Sequence, residues 1–415
     1  MNKRKKLVVI GGGAAGFFCA VNAARLSTDL DVIILEKTSK LLTKVKISGG
    51  GRCNVTHQSD VVEDMIDAYP RGKNFVKKTF HKFSALDTIS WFSERGVKIK
   101  AEPDGRMFPV TDQSDTIIHC LKMEAEKFGV AIRIQAEVLA ISKNQDFFEL
   151  TISDEHKQTS IEQADFVCVS VGGYPKETGF DWLRNLGHGV VSPVPSLFTF
   201  NIPDKVLHHL MGVSNKDTLV KIPSLKMQER GPVLITHWGL SGPAILKLSS
   251  RAARDLHGMN YSFDLIVNWV PELHESAMLD QLKRYKVISP KLSIYSKNPF
   301  DITSRLWAYL LSKAHIEQEY CWANVPQTAL VQLSKLLCNH IYRVEGKTTF
   351  KEEFVTAGGI RLDEIDPATM QSRKIQGVYF AGEVMDVDGV TGGYNFQHAW
   401  SSGWIAANAI AHLVH

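Results

Sequence analysis

Six residues near the N-terminus have the composition and spacing of a phosphate-binding turn. Gly11, Gly13 and Gly16 follow the pattern G-x-G-x-x-G, and Ala14 and Ala15 occupy the positions between the last two glycines. In this pattern the first glycine permits a tight turn, the second lets backbone approach a pyrophosphate, and the third allows close packing of a helix on a strand. The N–H groups at the start of that helix favour negative charge. These residues predict a dinucleotide pyrophosphate site.

An acidic residue stands where such a site needs one. Glu36 follows the apolar run "DVIIL", 20 residues after Gly16. A carboxylate at this position accepts hydrogen bonds from ribose hydroxyls and repels a 2′-phosphate. The spacing therefore predicts a bound dinucleotide, and this motif alone leaves FAD and NAD as alternatives.

A second set of residues near the C-terminus favours FAD. Gly382 and Glu383 follow an apolar, strand-like run. The Glu383 carboxylate is suited to bind a ribityl hydroxyl or to organise water near the pyrophosphate. Gly392 and Gly393 then open a segment that we expect to be helical through Ala409. The N-terminus of that helix would stabilise negative charge on the pyrimidine side of a reduced flavin.

The elements around the first motif are predicted to be a strand, a helix and a strand. Leu7 to Ile10 is a short apolar run, as in a strand that is buried on both faces. Ala14 to Leu26 is rich in small and apolar residues, which favours a helix packed on a sheet. Asp31 to Leu35 reads as the second strand, and Asp165 to Gly173 as a later strand of the same sheet. The beginning of the chain therefore predicts a βαβ unit.

The secondary structure predicted for the rest of the chain changes several times. Apolar spacing is helical from Phe75 to Val97 and from Thr116 to Phe128, and the alternating runs "EVLAIS" and "FFELTI" predict an antiparallel meander. Prolines punctuate short β-like runs from Val194 to Val270, which indicates a β-rich insertion. Residues 271–340 are helical in character, and the α/β texture then returns.

Composition bounds the class of protein. The chain has 415 residues, which favours two or three domains, and its 44% apolar and 22% charged residues are typical of a globular enzyme. A net charge of +4 and the lack of a long apolar segment predict no nucleic-acid or membrane partner. Six scattered cysteines form no zinc-binding pattern, so we expect no metal and reduced thiols. We therefore expect a cytoplasmic protein.

Several longer stretches carry a resemblance to a known family. They are "VVIGGGAAG", "ISGGGRCN", "THWGLSGPAILKLS", "VTAGGI" and "GVYFAGEVMDVDGVTGGYNFQ", and they span essentially the whole chain. The chain resembles the bacterial three-domain flavoproteins that include aminoacetone oxidase and the BaiN-type reductases of dehydrogenated bile acids. The resemblance implies an α/β fold, with noncovalent FAD in a glutathione-reductase-like Rossmann domain that carries an inserted β-barrel and helical domain.

The resemblance and the changes in texture together predict the domain bounds. Residues 1–192 and 349–415 would form the discontinuous FAD domain. Residues 193–270 with 341–348 would form the barrel-like domain, and 271–340 the helical domain. We expect a small-molecule substrate to bind between the FAD domain and the insertion. The sequence assigns no oligomeric state.

The resemblance also implies which residues contact FAD. "ISGGGRCN" would lie along the flavin and its pyrophosphate, where three glycines leave room for the ring. One stretch, residues 170–189, lacks the Ala-Thr-Gly-Gly that is usual in the family, which puts contacts there in doubt. The predicted cofactor-binding residues are Gly11, Gly13, Ala14, Ala15, Gly16, Glu36, Lys37, Ser48, Gly49, Gly50, Gly51, Arg52, Asn54, Val138, Gly382, Glu383, Gly392, Gly393, Asn395 and Phe396.

The sequence does not identify a catalytic acid or base. His237, in "THWGLSGP", is a candidate proton donor or acceptor because a histidine pKa near neutrality suits that work, and a structural role is the alternative. Cys53 stands beside the expected flavin but has no resolving cysteine at C-x-x-C or C-x4-C spacing. We interpret Cys53 as structural.

These observations predict an FAD-dependent oxidoreductase that moves hydride between the flavin and a small organic substrate. The chain has no second G-x-G-x-x-G, so NAD(P)H would act only as a transient co-substrate. A flavin-dependent amine oxidase acting on an aminoacetone-like substrate is one alternative. An FAD-dependent tRNA-modifying protein is a second, against which the small net charge argues. A flavin-binding regulator without turnover is a third.

Overall fold

The chain folds into two compact units. A computed structural model describes residues 4–59, 61–349 and 355–414. The first unit combines residues 1–196 with 351–415, and the second comprises residues 197–350. Each unit has its own hydrophobic core. The three-domain bounds given above stay a prediction.

The strands and helices of the described residues are numbered here in chain order. The strands are β1 Lys5–Ile10, β2 Leu30–Leu35, β3 Thr56–His57, β4 Ile99–Ala101, β5 Arg106–Pro109, β6 Ala131–Arg133, β7 Glu137–Lys143, β8 Phe148–Ser153, β9 Thr159–Ala164, β10 Phe166–Val169, β11 Val190–Ser196, β12 Thr199–Asn201, β13 Ser214–Ile222, β14 Met227–Ile235, β15 Gly239–Ser241, β16 Ser262–Asn268, β17 His340–Glu345, β18 Lys347–Thr348, β19 Val355–Ile360 and β20 Val378–Phe380. The helices are α1 Ala14–Leu26, α2 Thr43–Gly51, α3 Val62–Ile66, α4 Lys73–Phe80, α5 Ala85–Ser93, α6 Ser114–Lys127, α7 Asp181–Asn185, α8 Lys205–His208, α9 Pro243–Arg251, α10 Ala253–Gly258, α11 Glu275–Ile288, α12 Ser304–Lys313, α13 Gln327–Cys338 and α14 Tyr394–His412.

The main sheet of the first unit is parallel. Its strand order is β20-β10-β1-β2-β6, and every neighbouring pair runs in the same direction. Leu7 to Ile10 of β1 is buried throughout, because a parallel sheet is covered on both faces. Helix α1 begins four residues after β1 ends and leads to β2. The predicted βαβ beginning is confirmed.

Smaller elements complete the first unit. Strands β7, β8 and β9 form the antiparallel meander expected from their alternating sequences. The helical spacing from Phe75 to Val97 is divided between α4 and α5. Ser84 explains the break, because its side chain accepts a hydrogen bond from the Asp87 backbone while the Asp87 carboxylate accepts one from the Ser84 backbone, which is a capping box.

Helix α14 packs directly on α1. A Cβ atom on Gly403 would lie 2.7 Å from the carbonyl oxygen of Ala15, so glycine permits this crossing. The indole N–H of Trp400 donates to the carbonyl oxygen of Val55 at 2.9 Å, and its ring lies 5.2 Å from that of Phe18. The two ends of the chain therefore share one core.

The second unit is a closed antiparallel sheet with helices. The strand order is β17-β16-β13-β14-β15-β12-β18. Gly346 alone separates the first and last strands of this order, so the sheet closes on itself as a barrel. Helices α11, α12 and α13 occupy the segment between β16 and β17. The inserted β-barrel and helical region are confirmed.

Across the described part of the chain, no helix combines the length and the apolar composition that crossing a bilayer requires.

Candidate functional site

The turn after β1 leaves open space at one glycine. Gly11 has a φ of +109°, and its N–H donates to the carbonyl oxygen of Leu35 at 2.8 Å. A Cβ on Gly16 would lie 1.9 Å from the carbonyl oxygen of Gly11, so this glycine is required by packing. A Cβ on Gly13 would meet no atom within 4 Å. The second glycine of the motif therefore faces space that a ligand can fill.

Helix α1 presents its N-terminus to this space. Its N-cap, Gly13, provides no side-chain hydrogen bond, and its first turn has no acidic residue, so nothing in the turn neutralises the helix dipole. Ala14, Ala15 and Gly16 form that first turn. The arrangement fits a phosphate group, which would accept hydrogen bonds from the unpaired N–H groups.

Glu36 connects the turn to the end of β2. One of its carboxylate oxygens accepts a hydrogen bond from the Gly12 N–H at 2.8 Å. The other accepts from the backbone N–H and the hydroxyl of Thr38, at 2.9 and 2.8 Å. These contacts hold the predicted ribose-binding carboxylate beside the turn.

The other residues predicted at the adenosine end lie nearby. Lys37 is exposed, and its ammonium is 5.4 Å from the ring centre of Tyr174. Val138 is buried in β7, and the N–H of Ala136, two residues earlier, donates to the backbone oxygen of Glu36 at 2.9 Å. Their contacts with adenine stay a prediction.

The three consecutive glycines at the end of α2 depart from right-handed helical geometry and adopt a left-handed backbone. The φ angles are +59° at Gly49, +69° at Gly50 and +84° at Gly51, a conformation that costs other residues about 1–2 kcal/mol each. A Cβ on Gly49 would lie 2.8 Å from the Phe108 ring, whereas one on Gly50 or Gly51 would meet no atom within 4 Å. The run therefore also borders open space.

The polar residues beside this run have partners within the protein. Arg52 donates to a carboxylate oxygen of Glu102 at 2.6 Å, and its guanidinium lies 3.9 Å from the ring centre of Phe108. The side-chain oxygen of Asn54 accepts from the Met107 N–H at 3.2 Å. These contacts fasten the run to β5. The predicted contacts of Arg52 and Asn54 with flavin stay a prediction.

Ser48 and Cys53 bracket the glycines. The N–H of Cys53 donates to the backbone oxygen of Ser48 at 2.9 Å, and the Ser48 hydroxyl donates to the backbone oxygen of Val45 at 3.1 Å. Cys53 is fully buried, which raises the pKa of its thiol to about 12. A thiol that stays protonated and buried accords with a structural role.

The C-terminal motif lies against the N-terminal one. Gly382 has a φ of +75°, and a Cβ there would lie 2.8 Å from that of Ala15. Glu383 accepts a hydrogen bond from the Thr356 N–H at 2.9 Å and pairs with the Lys44 ammonium at 2.6 Å. These contacts thus join the segments around Ala15, Lys44, Thr356 and Gly382, which are separate in the sequence.

Helix α14 begins at the same end of the unit. Gly393 has a φ of +93°, and a Cβ there would lie 2.5 Å from the backbone oxygen of Thr56. The side chain of Asn395 exchanges two hydrogen bonds of 2.9 Å with the Gly389 backbone, and Phe396 stacks on Trp400. The helix continues to His412, three residues beyond its predicted end.

Gly392 precedes this helix and helps to set the loop. Its φ is +133°, and its backbone oxygen lies 3.1 Å from a ring nitrogen of His57. The His57 ring stacks on that of Tyr394 with ring centres 4.7 Å apart. No acidic residue and no side-chain cap occupy the first turn of α14. This N-terminus therefore also favours negative charge.

Sequence reasoning missed several residues that build the site. Lys44 and Thr356 hold Glu383, and Gln397 accepts hydrogen bonds from two threonine hydroxyls in the interior. Ser170 donates to the backbone oxygen of Ile10 at 2.9 Å and so supports the turn. A signal was available for three of them: Thr356 lies within "VTAGGI", Gln397 ends "GVYFAGEVMDVDGVTGGYNFQ", and Lys44 stands a few residues before "ISGGGRCN".

His237 lies in the second unit. It is exposed in the turn between β14 and β15, with its ring centre 4.1 Å from that of Trp238. Its assignment as a proton donor or acceptor stays a prediction.

His398 makes the stability of the first unit depend on pH. It is 2% exposed, and its ring nitrogens make no well-formed hydrogen bond with a described residue, although the Gly382 backbone lies close enough to oppose in part the effect of burial on its pKa. Burial lowers its pKa to about 4 from an ordinary value of 6.5. As the pH falls, the His398 side chain is therefore protonated in the unfolded chain at a higher pH than in the folded one. Stability present above pH 6.5 should be lost toward pH 4, by up to about 3 kcal/mol.

We expect His398→Leu to flatten this pH dependence. The measurement is urea unfolding of the FAD-free protein at a series of pH values between neutral and the acid limit. His412→Leu is the control, because His412 lies on the same helix and is exposed. Identical pH profiles for His398→Leu and wild type would contradict the prediction.

Comparison with known proteins agrees with this geometry. The family model described as "HI0933-like protein Rossmann domain" matches residues 5–409. The ribosomal RNA dihydrouridine synthase of Haemophilus influenzae is 28% identical over 427 residues, covering 99% of this chain and 100% of that protein. The 3-dehydro-bile acid delta(4,6)-reductase of Clostridium scindens is 26% identical over 414 residues, covering 98% of this chain and 99% of that one.

Solved structures show the same fold. The 3-ketosteroid-delta4-(5alpha)-dehydrogenase of Rhodococcus jostii RHA1 superposes with a TM-score of 0.52 at 12% identity, covering 97% of both chains. The uncapped helix N-terminus, the carboxylate at the end of β2 and the space beside the glycines fit FAD. The resemblance seen in the sequence is confirmed. The chain belongs to the HI0933-like Rossmann family and is an FAD-dependent oxidoreductase.

Proposed function

We propose that this enzyme reduces a carbon–carbon double bond conjugated to a carbonyl group, and that its substrate is a uridine within RNA. The observation that carries the proposal is the chemistry shared by two relatives that match the chain end to end. Dihydrouridine is uridine with its ring double bond saturated, and that bond is conjugated to a carbonyl. The name of the bile-acid reductase likewise gives a 3-oxo group and reduced double bonds.

The residues of the first unit have distinct roles in this proposal. The N-terminus of α1 holds the pyrophosphate, Glu36 holds the ribose, and the run Gly49 to Gly51 leaves space for a planar ring. When bound and reduced by NAD(P)H, FAD would supply the hydride that adds to the β-carbon of the conjugated double bond. A proton must also reach the α-carbon, and His237 is our candidate to deliver it. Full activity in a His237→Gln variant would remove that assignment.

The hydride is proposed to come from NAD(P)H. The sequence contains one dinucleotide-binding fingerprint, and FAD accounts for it. A nicotinamide nucleotide would therefore visit the enzyme transiently, as expected from the sequence.

Charge distribution favours RNA over a small substrate. Residues 197–350 contain 18 Lys and Arg against 12 Asp and Glu, whereas the rest of the chain contains 30 against 32. The second unit thus carries a net charge of +6, which the whole-chain value of +4 conceals. A concentrated positive charge attracts a polyphosphate backbone. The prediction of no nucleic-acid partner rests on the whole-chain value, whereas the charge of the second unit favours the opposite.

A small unsaturated ketone is the second candidate substrate. The full-length match to the bile-acid reductase favours it. Such a substrate would need no cationic surface. The two candidates therefore differ in whether the positive charge of the second unit contributes to substrate binding.

An anaerobic assay separates these candidates. The FAD-bound enzyme is mixed with NADH or NADPH and then with an unmodified ribosomal RNA transcript, a 3-oxo-4-ene steroid or aminoacetone. We expect bleaching of the flavin by NAD(P)H, return of its colour with RNA, and a gain of two hydrogens in uridine by mass spectrometry. Return of colour with the steroid alone would support the second candidate. Bleaching by aminoacetone alone would indicate an amine oxidase and overturn the proposal.

A further inference from the structure

We infer that the C-terminal half of α11 and the loop after it form a docking surface for the phosphate backbone of RNA. This inference rests on the proposed function, because it names how an RNA substrate is held. The α11 surface is defined by Lys283, Arg284, Val287, Ile288, Lys291 and Leu292, all of which are exposed.

The cations of the α11 surface are unpaired within the part of the chain that the structure describes. Lys283, Arg284 and Lys291 form no ion pair or side-chain hydrogen bond with any residue that the structure describes. Some other cations of the same unit are paired, such as Arg230 with Asp217 and Lys313 with Asp204. Free cations on a surface are available to neutralise phosphates.

Carboxylates are absent from the surrounding sequence. Residues 281–300 contain five Lys and Arg and no Asp or Glu, and residues 320–344, which include the neighbouring helix α13, contain no Asp or Glu either. The acidic residues that flank these segments in sequence are Asp280, one turn earlier on α11, Asp301, and Glu317 and Glu319, which act on Tyr295 of the loop after α11. The positive charge of the surface is therefore concentrated rather than balanced.

The helix that presents these cations is fixed in place. Its opposite face buries Met278 and Leu282 in the core of the unit. Tyr285 stacks on Trp322 with ring centres 5.6 Å apart, and the Lys286 ammonium donates to the backbone oxygen of Val325 at 2.7 Å. The exposed side chains therefore project from a rigid support, which lowers the cost of ordering them on binding.

Helix stability does not explain the composition of the α11 surface. Cations in the last turn of a helix interact favourably with its dipole, and this effect accounts for one or two of the three cations. It does not account for Val287 and Ile288, which are 80% and 74% exposed and exceed every other large apolar side chain in the described residues. Apolar groups beside cations can contact the sugars and base faces of a single strand while the cations hold its phosphates.

A membrane surface is the alternative occupant, and the geometry disfavours it. A helix that lies in a bilayer interface inserts a continuous apolar face. The apolar face of α11 is already buried against its own unit, and only Val287, Ile288 and Leu292 remain outside. The cations are the larger part of the surface.

The test compares two triple variants of the FAD-bound enzyme. The first is Lys283→Gln, Arg284→Gln, Lys291→Gln. The control is Lys82→Gln, Lys98→Gln, Lys122→Gln, which removes three exposed cations that lack ion pairs within the described part of the first unit. A short fluorescent single-stranded RNA is titrated at several salt concentrations. The α11 variant should lose about tenfold in affinity, and the slope of log K against log salt should fall by about 2.

Two results would overturn the docking surface. One is an equal loss of RNA affinity in both variants. The other is wild-type binding to phosphatidylserine-containing vesicles without binding to RNA. Melting temperatures equal to wild type confirm that exposed substitutions leave the fold intact.

The docking surface and the proposed function can be contradicted by different results. RNA binding that depends on the α11 surface, without any gain of hydrogens in uridine, would leave docking standing and remove the proposed reaction. Reduction of uridine with an unchanged KM in the α11 variant would do the reverse.

Discussion

Gly13→Ala should abolish tight FAD binding without unfolding the chain. Gly13 has a φ of −92°, which alanine adopts without strain, and its added Cβ would meet no protein atom within 4 Å. The methyl group would instead occupy the space into which the pyrophosphate must come. We expect a loss of about 100-fold or more in FAD affinity, which is about 2.7 kcal/mol or more. FAD content after dialysis and the melting temperature of the FAD-free protein are the two measurements.

Gly16→Ala is the matched comparison on the same turn. Its Cβ would lie 1.9 Å from the carbonyl oxygen of Gly11 and 2.6 Å from the Ser170 hydroxyl, so the turn itself must distort. This variant should lower the melting temperature of the FAD-free protein, whereas Gly13→Ala should not. A Gly13→Ala enzyme that holds FAD as wild type does would place the pyrophosphate elsewhere.

Arg71→Met should cost about 3–5 kcal/mol of folding free energy, since it leaves a buried carboxylate without its cation. Asp388 is fully buried, accepts a hydrogen bond from the Ser196 hydroxyl at 2.7 Å, and forms an ion pair with Arg71. The two residues also form an antiparallel backbone bridge. The pair thus fixes the loop that leads into α14. Urea unfolding of the FAD-free protein measures the loss.

Lys73→Met provides the control for that experiment. Lys73 pairs with Asp67, but the two side chains are 50% and 71% exposed, so water screens the interaction. Exposed pairs contribute about 1 kcal/mol or less. An equal loss of folding free energy in both variants would contradict the prediction, because the cost would then not come from the burial of the Asp388 carboxylate.

The sequence contained the local parts of this site. Gly11, Gly13 and Gly16 predicted the turn, and Glu36 predicted the adjacent carboxylate, because tight turns and helix starts impose residue types at fixed spacing. The break between α4 and α5 also has a local signal in the sequence, since Ser84 and Asp87 have the spacing of a capping box.

The contacts between distant segments could not be predicted. Lys44 and Glu383 are 339 residues apart, and no short motif pairs a surface lysine with a particular carboxylate. The same holds for Thr56 and Gln397, which meet only because α14 packs across the first unit. Their positions follow from the global fold rather than from local propensity.

The packing of α14 on α1 has a consequence for the order in which this enzyme is made. Because translation proceeds from the N-terminus, Gly11 to Gly16 leave the ribosome hundreds of residues before Gly382 and Gly403 exist. The predicted phosphate-binding turn packs against a helix that is synthesised near the end of the chain. We therefore expect FAD to bind late in biogenesis, because a nascent chain interrupted before residue 378 would lack Gly382 and α14, which pack against α1.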